Sequence, residues 1–295
     1  MSRPDPATEV FEAHRPRLAR LAYRMLGSVA EEDVVQNAWL RWRSVDQAEV
    51  REPAAWLTRT TSRLALDVLK SARARRETYV GTWLPEPLVE PEQDEVHDDL
   101  TLTLMMALER LSPPERAAFL LHDVFGVAFD DVANTLDRDP TSVRQLAARA
   151  RRHVQEARPR YAVEREEGDR IARAFFEASR SGDVAALSAL LAERATLRAD
   201  GGGKVLAFHN PIEGAERILR LFAGLRRKYG LDAFEYIRPM WIDGLPGYAS
   251  LERGRVLQTT ALAIEDGRIV DIFVTRNPDK LIHVAAELSL PHVGA

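Results

Sequence analysis

The chain has 295 residues, a formal net charge of −4 and no cysteine, and its length favours two or three domains rather than one hydrophobic core. Hydrophobic residues at 45% and charged residues at 29% are typical of a folded globular protein and argue against a fibrous or disordered one. Without cysteine there is no disulfide, thiolate metal site or thiol nucleophile, and without a long apolar stretch or a signal-peptide core we expect a cytoplasmic protein that makes no membrane contact.

The first block of the chain, from Phe11 to about Tyr79, predicts three helices. Apolar residues recur at helical spacing up to Gly27, at Leu18, Leu21, Ala22 and Met25. Acids at residues 31–33 open a second helix, where the helix dipole favours them, and its exposed face would carry Asp33, Gln36 and Arg41. After a loop that holds Pro53, a long amphipathic helix follows.

Charge is distributed unevenly along the chain. Residues 59–76 hold six basic residues against one acid, and so do residues 140–160. Residues 86–99 hold seven acids, no lysine or arginine, and two prolines, which predicts a flexible linker. Each basic segment is consistent with a nucleic-acid contact or with a merely solvated helix face, and the pair together favours nucleic acid.

The second block, from Leu102 to about Tyr161, predicts a helix-turn-helix. Ser112, Pro113 and Glu115 form a helix start signal. Residues 129–136 form a short helix, residues 137–139 a turn, and Pro140 opens a second helix that would enter the major groove. The candidate DNA contacts on or after it are Thr141, Ser142, Arg144, Gln145, Arg149, Arg151 and Arg152.

The third block, from about Val163, predicts an α+β domain. An amphipathic helix precedes short strand-like runs at residues 256–260, 261–265 and 269–275, with a turn at Asp266 and Gly267. Helices followed by a curved antiparallel sheet describe a cone that encloses a pocket.

These residues carry a family resemblance. Residues 20–27, 32–41 and 56–70 resemble region two of the extracytoplasmic-function (ECF) sigma factors, and residues 111–116 with the helix-turn-helix resemble region four. The resemblance implies that Asp33, Gln36 and Arg41 contact core RNA polymerase, which the family binds through its β′ clamp helices and β flap. It implies promoter contacts to the −10 element by region two and to the −35 element by region four. The −10 contacts would be Arg59, Arg63, Lys70 and Arg73. The family often has arginine then leucine where this chain has Leu146 and Ala147.

Three further motifs resemble the ECF subgroup that carries a fused SnoaL-like domain of the NTF2-like superfamily. They are Trp83-Leu84-Pro85-Glu86-Pro87-Leu88, Asp200-Gly201-Gly202-Gly203-Lys204 and Asn277-Pro278-Asp279-Lys280-Leu281. The motif at residues 200–204 also fits a plain turn, and the motif at residues 277–281 also fits a plain helix start. The resemblance implies that they regulate the sigma domains in place of a separate anti-sigma protein.

The expected fold class is therefore multidomain, with two all-α sigma domains and a C-terminal α+β NTF2-like cone. The expected bounds are residues 1–80 for region two, 81–101 for the linker, 102–161 for region four and 162–295 for the SnoaL-like domain. We expect no cofactor and no metal, and a small ligand or a partner at the C-terminal domain is left open.

Two alternatives to a non-enzymatic sigma factor remain at this point. The cone could be an enzyme, in which case Asp200, His209, Trp241 and Asp243 are the residues to inspect, although no spacing places an acid within reach of a base. The chain could also be a helix-turn-helix repressor or activator with a ligand domain. That reading leaves the first block unexplained.

Overall fold

The structure, a computed structural model, describes residues 5–28, 31–76, 79–89, 102–155 and 163–290, with the side chains of residues 72–76 outside this description. The chain forms two compact units. One comprises Met1–Glu77 with Ala107–Ala157, and the other comprises Thr78–Met106 with Arg158–Ala295. In the part of the chain that the structure describes, no helix has the length and apolar character needed to cross a membrane.

The first unit is all-helical. Its helices are α1 (Pro6–Leu26), α2 (Glu31–Ser44), α3 (Pro53–Arg76), the end of α4 (Leu102–Glu109), α5 (Pro113–Phe119) with a π-helical turn at Leu120–Val124, α6 (Phe129–Leu136) and α7 (Pro140–Gln155). A 3-10 turn, Gln47–Glu49, precedes α3. The all-α prediction for this part of the chain is confirmed.

The first three helices end and pack as their residue types suggest. Gly27 caps α1 in the left-handed conformation at φ +63°, and its N–H donates to the Tyr23 carbonyl. The indole of Trp42 is buried, donates to the Ala7 carbonyl at 2.9 Å and lies 5.4 Å from the Trp56 ring. Pro53 is the first residue of α3 rather than part of the preceding loop, because a first-turn residue needs no N–H donor.

The predicted helix-turn-helix is present as α6, a short turn and α7. Asp137 turns the chain at φ +52°, and the Asp139 carboxylate caps α7 by accepting from the Ser142 amide at 2.9 Å. Leu146 and Ala147 are both buried and belong to the core of this motif. These two positions therefore cannot reach a base edge without unfolding the motif.

One buried arginine joins the two halves of the first unit. Arg116 on α5 donates to the Leu108 carbonyl at 2.9 Å and to the Met25 carbonyl at 2.6 Å, and it pairs with Glu109 at 2.5 Å. Burial lowers the pKa of Arg116 to about 9, so the side chain still carries its charge at neutral pH. The residue connects the end of α1 to the start of the second helical block.

The second unit contains the α+β domain. Its elements are α8 (Arg165–Ser181), α9 (Val184–Leu190), β1 (Leu191–Asp200), β2 (Ile212–Glu213), α10 (Ala215–Tyr229), 3-10 turn Leu231–Ala233, β3 (Phe234–Ile242), β4 (Leu245–Glu252), β5 (Val256–Glu265), β6 (Arg268–Thr275), 3-10 turn Pro278–Lys280 and α11 (Ile282–Glu287). The sheet order is β2-β1-β6-β5-β4-β3. The predicted α+β class is confirmed.

The sheet differs from the prediction in two respects. It is mixed rather than antiparallel, because β1 runs parallel to β6, with Leu197 opposite Ile272. Strands β3 to β6 form consecutive hairpins, whereas β1 and β6 are joined through the whole intervening meander, so no short turn dictates their direction. In addition, the two predicted runs at 256–260 and 261–265 form one continuous strand, β5.

Both faces of the sheet are covered. On one face α8, α9 and α10 pack over a core that includes Phe175, Phe176 and Leu262. On the other face a second core gathers Leu84 from the linker and Leu102 from the start of α4, together with Leu281 and Val284 from the C-terminal turn and helix. This double cover explains why β4 and β5 are buried almost without interruption.

Candidate functional site

The three residues predicted to contact polymerase lie together on the outer side of α2. Asp33, Gln36 and Arg41 are exposed, while Val34 and Trp42 of the same helix face the core. At about 100° per residue, Gln36 and Arg41 lie about 60° and about 80° to either side of Asp33, so the three occupy one broad solvent-facing stripe. The predicted placement is therefore observed, and their role in polymerase binding stays a prediction.

The four residues predicted to contact the −10 element lie along α3 and differ in environment. Arg59 is half-buried, and Lys70 is exposed 3.9 Å from Asp67. Arg63 instead donates to the main-chain carbonyls of α6, at 2.7 Å to Asn134 and 3.3 Å to Thr135. The side chain of Arg73 lies outside the described residues. In this arrangement Arg63 is occupied by region four, so a DNA contact would have to replace these two hydrogen bonds.

The predicted DNA contacts on α7 are mostly exposed, and three of them have intramolecular partners. Those exposed on one side are Thr141, Arg144, Gln145, Arg149 and Arg152. Arg149 pairs with Glu115 at 2.9 Å, Arg151 pairs with Asp123 at 2.6 Å, and the Ser142 hydroxyl donates to Asp139. Ser142 thus acts as part of the helix cap, and Arg149 and Arg151 have intramolecular partners.

The strongest polar cluster of the second unit is built around Asp200, which ends β1 and is fully buried. Its Oδ1 accepts from the Tyr79 hydroxyl at 2.6 Å and from the Gly202 amide at 3.0 Å. Its Oδ2 accepts from the Leu84 amide at 2.9 Å and from the Lys280 ammonium at 2.7 Å. Four donors from three separate segments converge on one carboxylate, which is what a buried charge requires.

Lys280 completes this cluster from the C-terminal motif. Its ammonium also donates to the Leu84 carbonyl at 2.5 Å and lies 4.2 Å from the centroid of the Trp83 ring. The Lys280 side chain is 8% exposed and the Asp200 side chain is 0% exposed, so solvent screens their charges little. Lys280 and Asp200 therefore hold both polar main-chain groups of Leu84, whose side chain is itself fully buried.

The glycines of the second motif have a steric reason. A Cβ on Gly201 would lie 2.1 Å from the Val205 carbonyl oxygen, and one on Gly202, at φ +61°, would lie 2.4 Å from the Asn277 side chain. Asn277 in turn donates to the Tyr79 hydroxyl at 2.9 Å and caps the following turn by accepting from the Asp279 amide. The motifs do form a turn and a helix start, and they also contact each other.

A second set of contacts fixes the end of the Trp83 to Leu88 motif. Asp243, in the turn between β3 and β4, donates its amide to the Leu88 carbonyl at 2.9 Å and accepts from the Leu88 amide at 3.2 Å. The His283 ring lies 2.6 Å from the Pro87 carbonyl. The three motifs singled out from the sequence are therefore brought together in space.

Of the flexible linker predicted at residues 86–99, the structure describes residues 86–89, which continue a segment that begins at Tyr79. Residues 79–89 pack against the sheet, because Leu84 fills the core and Tyr79, Leu84 and Leu88 hydrogen-bond to Asp200 or Asp243. Residues 90–101 lie outside the description. Sequence reasoning missed Tyr79 and His283, since a tyrosine next to a basic helix and a histidine near the C-terminus carry no local signal of their buried partners.

The four residues named for an enzymatic alternative do not gather around a common point. Asp200 and Asp243 hold the linker, the Trp241 indole donates to Asp169 at 2.9 Å, and His209 is exposed beside Thr82. A cavity of about 510 Å³ lies in the domain, and none of these four lines it among the described residues. The geometry thus gives no acid and base that share one substrate position.

Comparison with known proteins settles the family. A model described as Sigma-70 region 2 matches residues 10–75, and one described as Sigma-70, region 4 matches residues 101–154. The ECF RNA polymerase sigma factor SigJ of Mycobacterium tuberculosis is 38% identical over 292 residues, covering 92% of this chain and 91% of that protein. The chain belongs to the ECF sigma factor family. The predicted resemblance is confirmed, and the repressor alternative is set aside because it leaves the region 2 match unexplained.

Two further similarities extend over the whole length of this sigma factor. A probable ECF sigma factor SigI of Mycobacterium tuberculosis is 32% identical, with 98% of this chain and 99% of that protein covered. The crystal structure of Mycobacterium tuberculosis SigJ superimposes with a TM-score of 0.73 at 32% identity, covering 93% of this chain and 98% of that one. The C-terminal domain is thus shared with these relatives rather than peculiar to this chain.

Proposed function

We propose that this ECF sigma factor binds core RNA polymerase, directs promoter-specific initiation, and is modulated by its C-terminal domain through the linker. The observation that carries the regulatory part is the buried Asp200–Lys280 pair, which holds the backbone of Leu84. A non-enzymatic role and a cytoplasmic location are part of the same proposal, and it requires no cofactor.

The polymerase and promoter contacts are assigned by position. The exposed stripe of Asp33, Gln36 and Arg41 on α2 would meet the β′ clamp helices, and region four would meet the β flap. Basic residues of α3 would hold the −10 element, and the exposed face of α7 would enter the major groove at the −35 element. Basic side chains suit the two DNA contacts because phosphate contacts dominate the affinity for nucleic acid.

The linker gives the C-terminal domain a means of control. It joins α3 of region two to α4, which leads into region four, so fixing it on the sheet restricts the separations that the two regions can adopt. An interface within one chain acts at high effective concentration, and even modest docking energy can bias such an equilibrium. Arg63, whose donors are bound to α6, is a residue that would be freed when the two regions separate.

Run-off transcription with purified core polymerase tests both parts. Lys280→Met should change the transcript yield relative to wild type, whereas Lys204→Met, which removes the same charge from an exposed pair with Asp279, should not. Equal yields from wild type and Lys280→Met would contradict the regulatory part alone.

A pull-down of core polymerase tests the first part separately. Asp33→Arg combined with Gln36→Lys should weaken binding without unfolding the chain, because both residues are exposed. Asp232→Arg, on the 3-10 turn of the C-terminal domain, is the control for a charge reversal at an exposed acid. Equal binding by wild type and the α2 variant would contradict the assignment of this stripe.

A further inference from the structure

The C-terminal domain contains a cavity that the proposed function does not use. Its volume is about 510 Å³, within the range of pockets that hold small molecules. Much of its wall is apolar and comes from α8, α10 and the sheet, including Phe175, Phe176, Leu197, Phe222 and Leu225. Such a wall favours an apolar ligand body, because filling it removes hydrocarbon surface from water.

Polar residues line part of the same cavity, and their charges do not balance. Glu252 is 6% exposed and pairs with Arg276 and with Arg253, the latter at 3.0 Å. Lys228 also lines the cavity, while Lys204 already pairs with Asp279 at 2.7 Å. Four basic side chains and one carboxylate, that of Glu252, therefore line the described part of the cavity, and with Lys204 paired to Asp279 three basic groups remain against one acid.

Arg276 has unused hydrogen-bonding capacity at this position. Its guanidinium reaches Glu252 through Nη2, and its Nε is buried with no hydrogen-bond partner among the described residues. Glu252, by contrast, has two cationic partners, so it offers little to a cationic ligand. The Arg276 side chain as a whole is 17% exposed and lines the cavity, so its accessible part, rather than Nε, is what a ligand oxygen would meet.

We propose that this cavity is a binding site for an amphipathic anion, with the hydrocarbon body against the aromatic wall and the acidic head at Arg276. A carboxylic acid with an aromatic or aliphatic body has the required chemistry, because a carboxylate accepts charge-assisted hydrogen bonds from a guanidinium. This inference concerns binding by the free protein, so it stands or falls independently of polymerase binding.

Two fluorescent probes that differ by one charged group test the assignment on the full chain. 1-Anilinonaphthalene-8-sulfonate has an aromatic body and an anionic head, and N-phenyl-1-naphthylamine has the same body without it. Wild type should bind one sulfonate probe per chain, more tightly than the neutral probe. Arg276→Gln should weaken the sulfonate probe about tenfold and leave the neutral one unchanged, whereas Arg276→Lys, which keeps the charge, should retain most of the preference.

A second variant guards against a misfolded pocket. Leu225→Trp adds bulk to a partly exposed wall residue and should abolish one-to-one binding of both probes while circular dichroism stays that of wild type. Glu252→Gln combined with Arg276→Gln removes the buried ion pair as a unit, and it should bind the neutral probe as wild type does and the sulfonate probe no more tightly than the neutral one. Equal affinity of wild type for the two probes, or saturable binding that Leu225→Trp leaves intact, would overturn the proposal.

Discussion

Replacing Lys280 by methionine should release the linker from the C-terminal domain. The substitution keeps most of the aliphatic stem but leaves the Asp200 carboxylate, which is fully buried, without its cationic partner. Breaking a buried pair on one side costs about 3–5 kcal/mol. Asp200 keeps its bonds from Tyr79, Gly202 and Leu84, so we take the lower end, about 3 kcal/mol.

Hydrogen exchange followed by mass spectrometry gives a direct measure of this release. The Leu84 amide donates to Asp200, so peptides that cover residues 79–89 report on docking. Since each 1.4 kcal/mol is a factor of ten, exchange in these peptides should accelerate by roughly 100-fold in Lys280→Met. Lys204→Met should leave it within about threefold of wild type, because its pair with Asp279 is exposed.

A double variant separates the loss of the Asp200–Lys280 attraction from the cost of leaving the Asp200 carboxylate buried without its cation. Asp200→Asn combined with Lys280→Met removes both charges and should restore part of the protection that Lys280→Met loses. Unchanged exchange at residues 79–89 in Lys280→Met would refute the reasoning, and so would equal losses in Lys280→Met and Lys204→Met. Unchanged exchange would mean that the apolar packing of Leu84, and not the ion pair, holds the linker, whereas equal losses would mean that the effect is not specific to the buried pair.

Three further predictions concern other parts of the chain. Arg116→Met should lower the urea stability of the first unit by about 3–5 kcal/mol, since it removes the buried pair with Glu109 and the donor of two buried carbonyls. Arg149→Met should cost less than about 1 kcal/mol, and similar midpoints for the two variants would contradict the role of Arg116. Burial, and then the hydrogen bond to Asp200, raise the pKa of Tyr79. Docking of the linker should therefore be intact below about pH 10, the pKa of a free tyrosine, and weaken above it. Tryptophan fluorescence should show this transition in wild type, and the part that is due to Tyr79 should be absent in Tyr79→Phe. Arg144→Ala should leave the pull-down of core polymerase unchanged, because the exposed Arg144 is assigned to DNA. It should lower promoter selectivity roughly tenfold, measured as run-off transcription from a cognate promoter divided by that from a promoter with a scrambled −35 element. An unchanged ratio would mean that Arg144 does not contact the −35 element.

Local signals explain how far the sequence predicted the fold. Gly27, the Ser112–Glu115 capping box and the Asp266–Gly267 turn all lie where their residue types indicate, because each acts on its own few neighbours. The parallel pairing of β1 with β6 was out of reach, since it depends on packing between strands separated by the whole meander. Gln258 and Thr260 are buried in β5 beside the cavity, although polar residues in a strand suggest a solvent face.

The contacts of Asp200 and Lys280 with the linker show the same difference between local and long-range signals. Asp200 and its glycines were recognisable as a motif, but the sequence could not distinguish a plain turn from a site of contact. No local pattern marks Arg116 as buried, yet it is 1% exposed and donates to a carbonyl 91 positions earlier in the chain. Long-range partners of this kind are set by tertiary packing, which no local pattern encodes.

The loop formed by residues 204–208 separates two compartments of the C-terminal domain. All five residues line the large cavity on one side and, on the other, a smaller cavity of about 300 Å³ that Val80 and Gly81 of the linker also line. The large cavity and the smaller cavity beside the linker therefore share one wall. If that wall has two arrangements, the factor by which linker docking changes the affinity for a molecule in the large cavity must equal the factor by which that molecule changes the docking equilibrium.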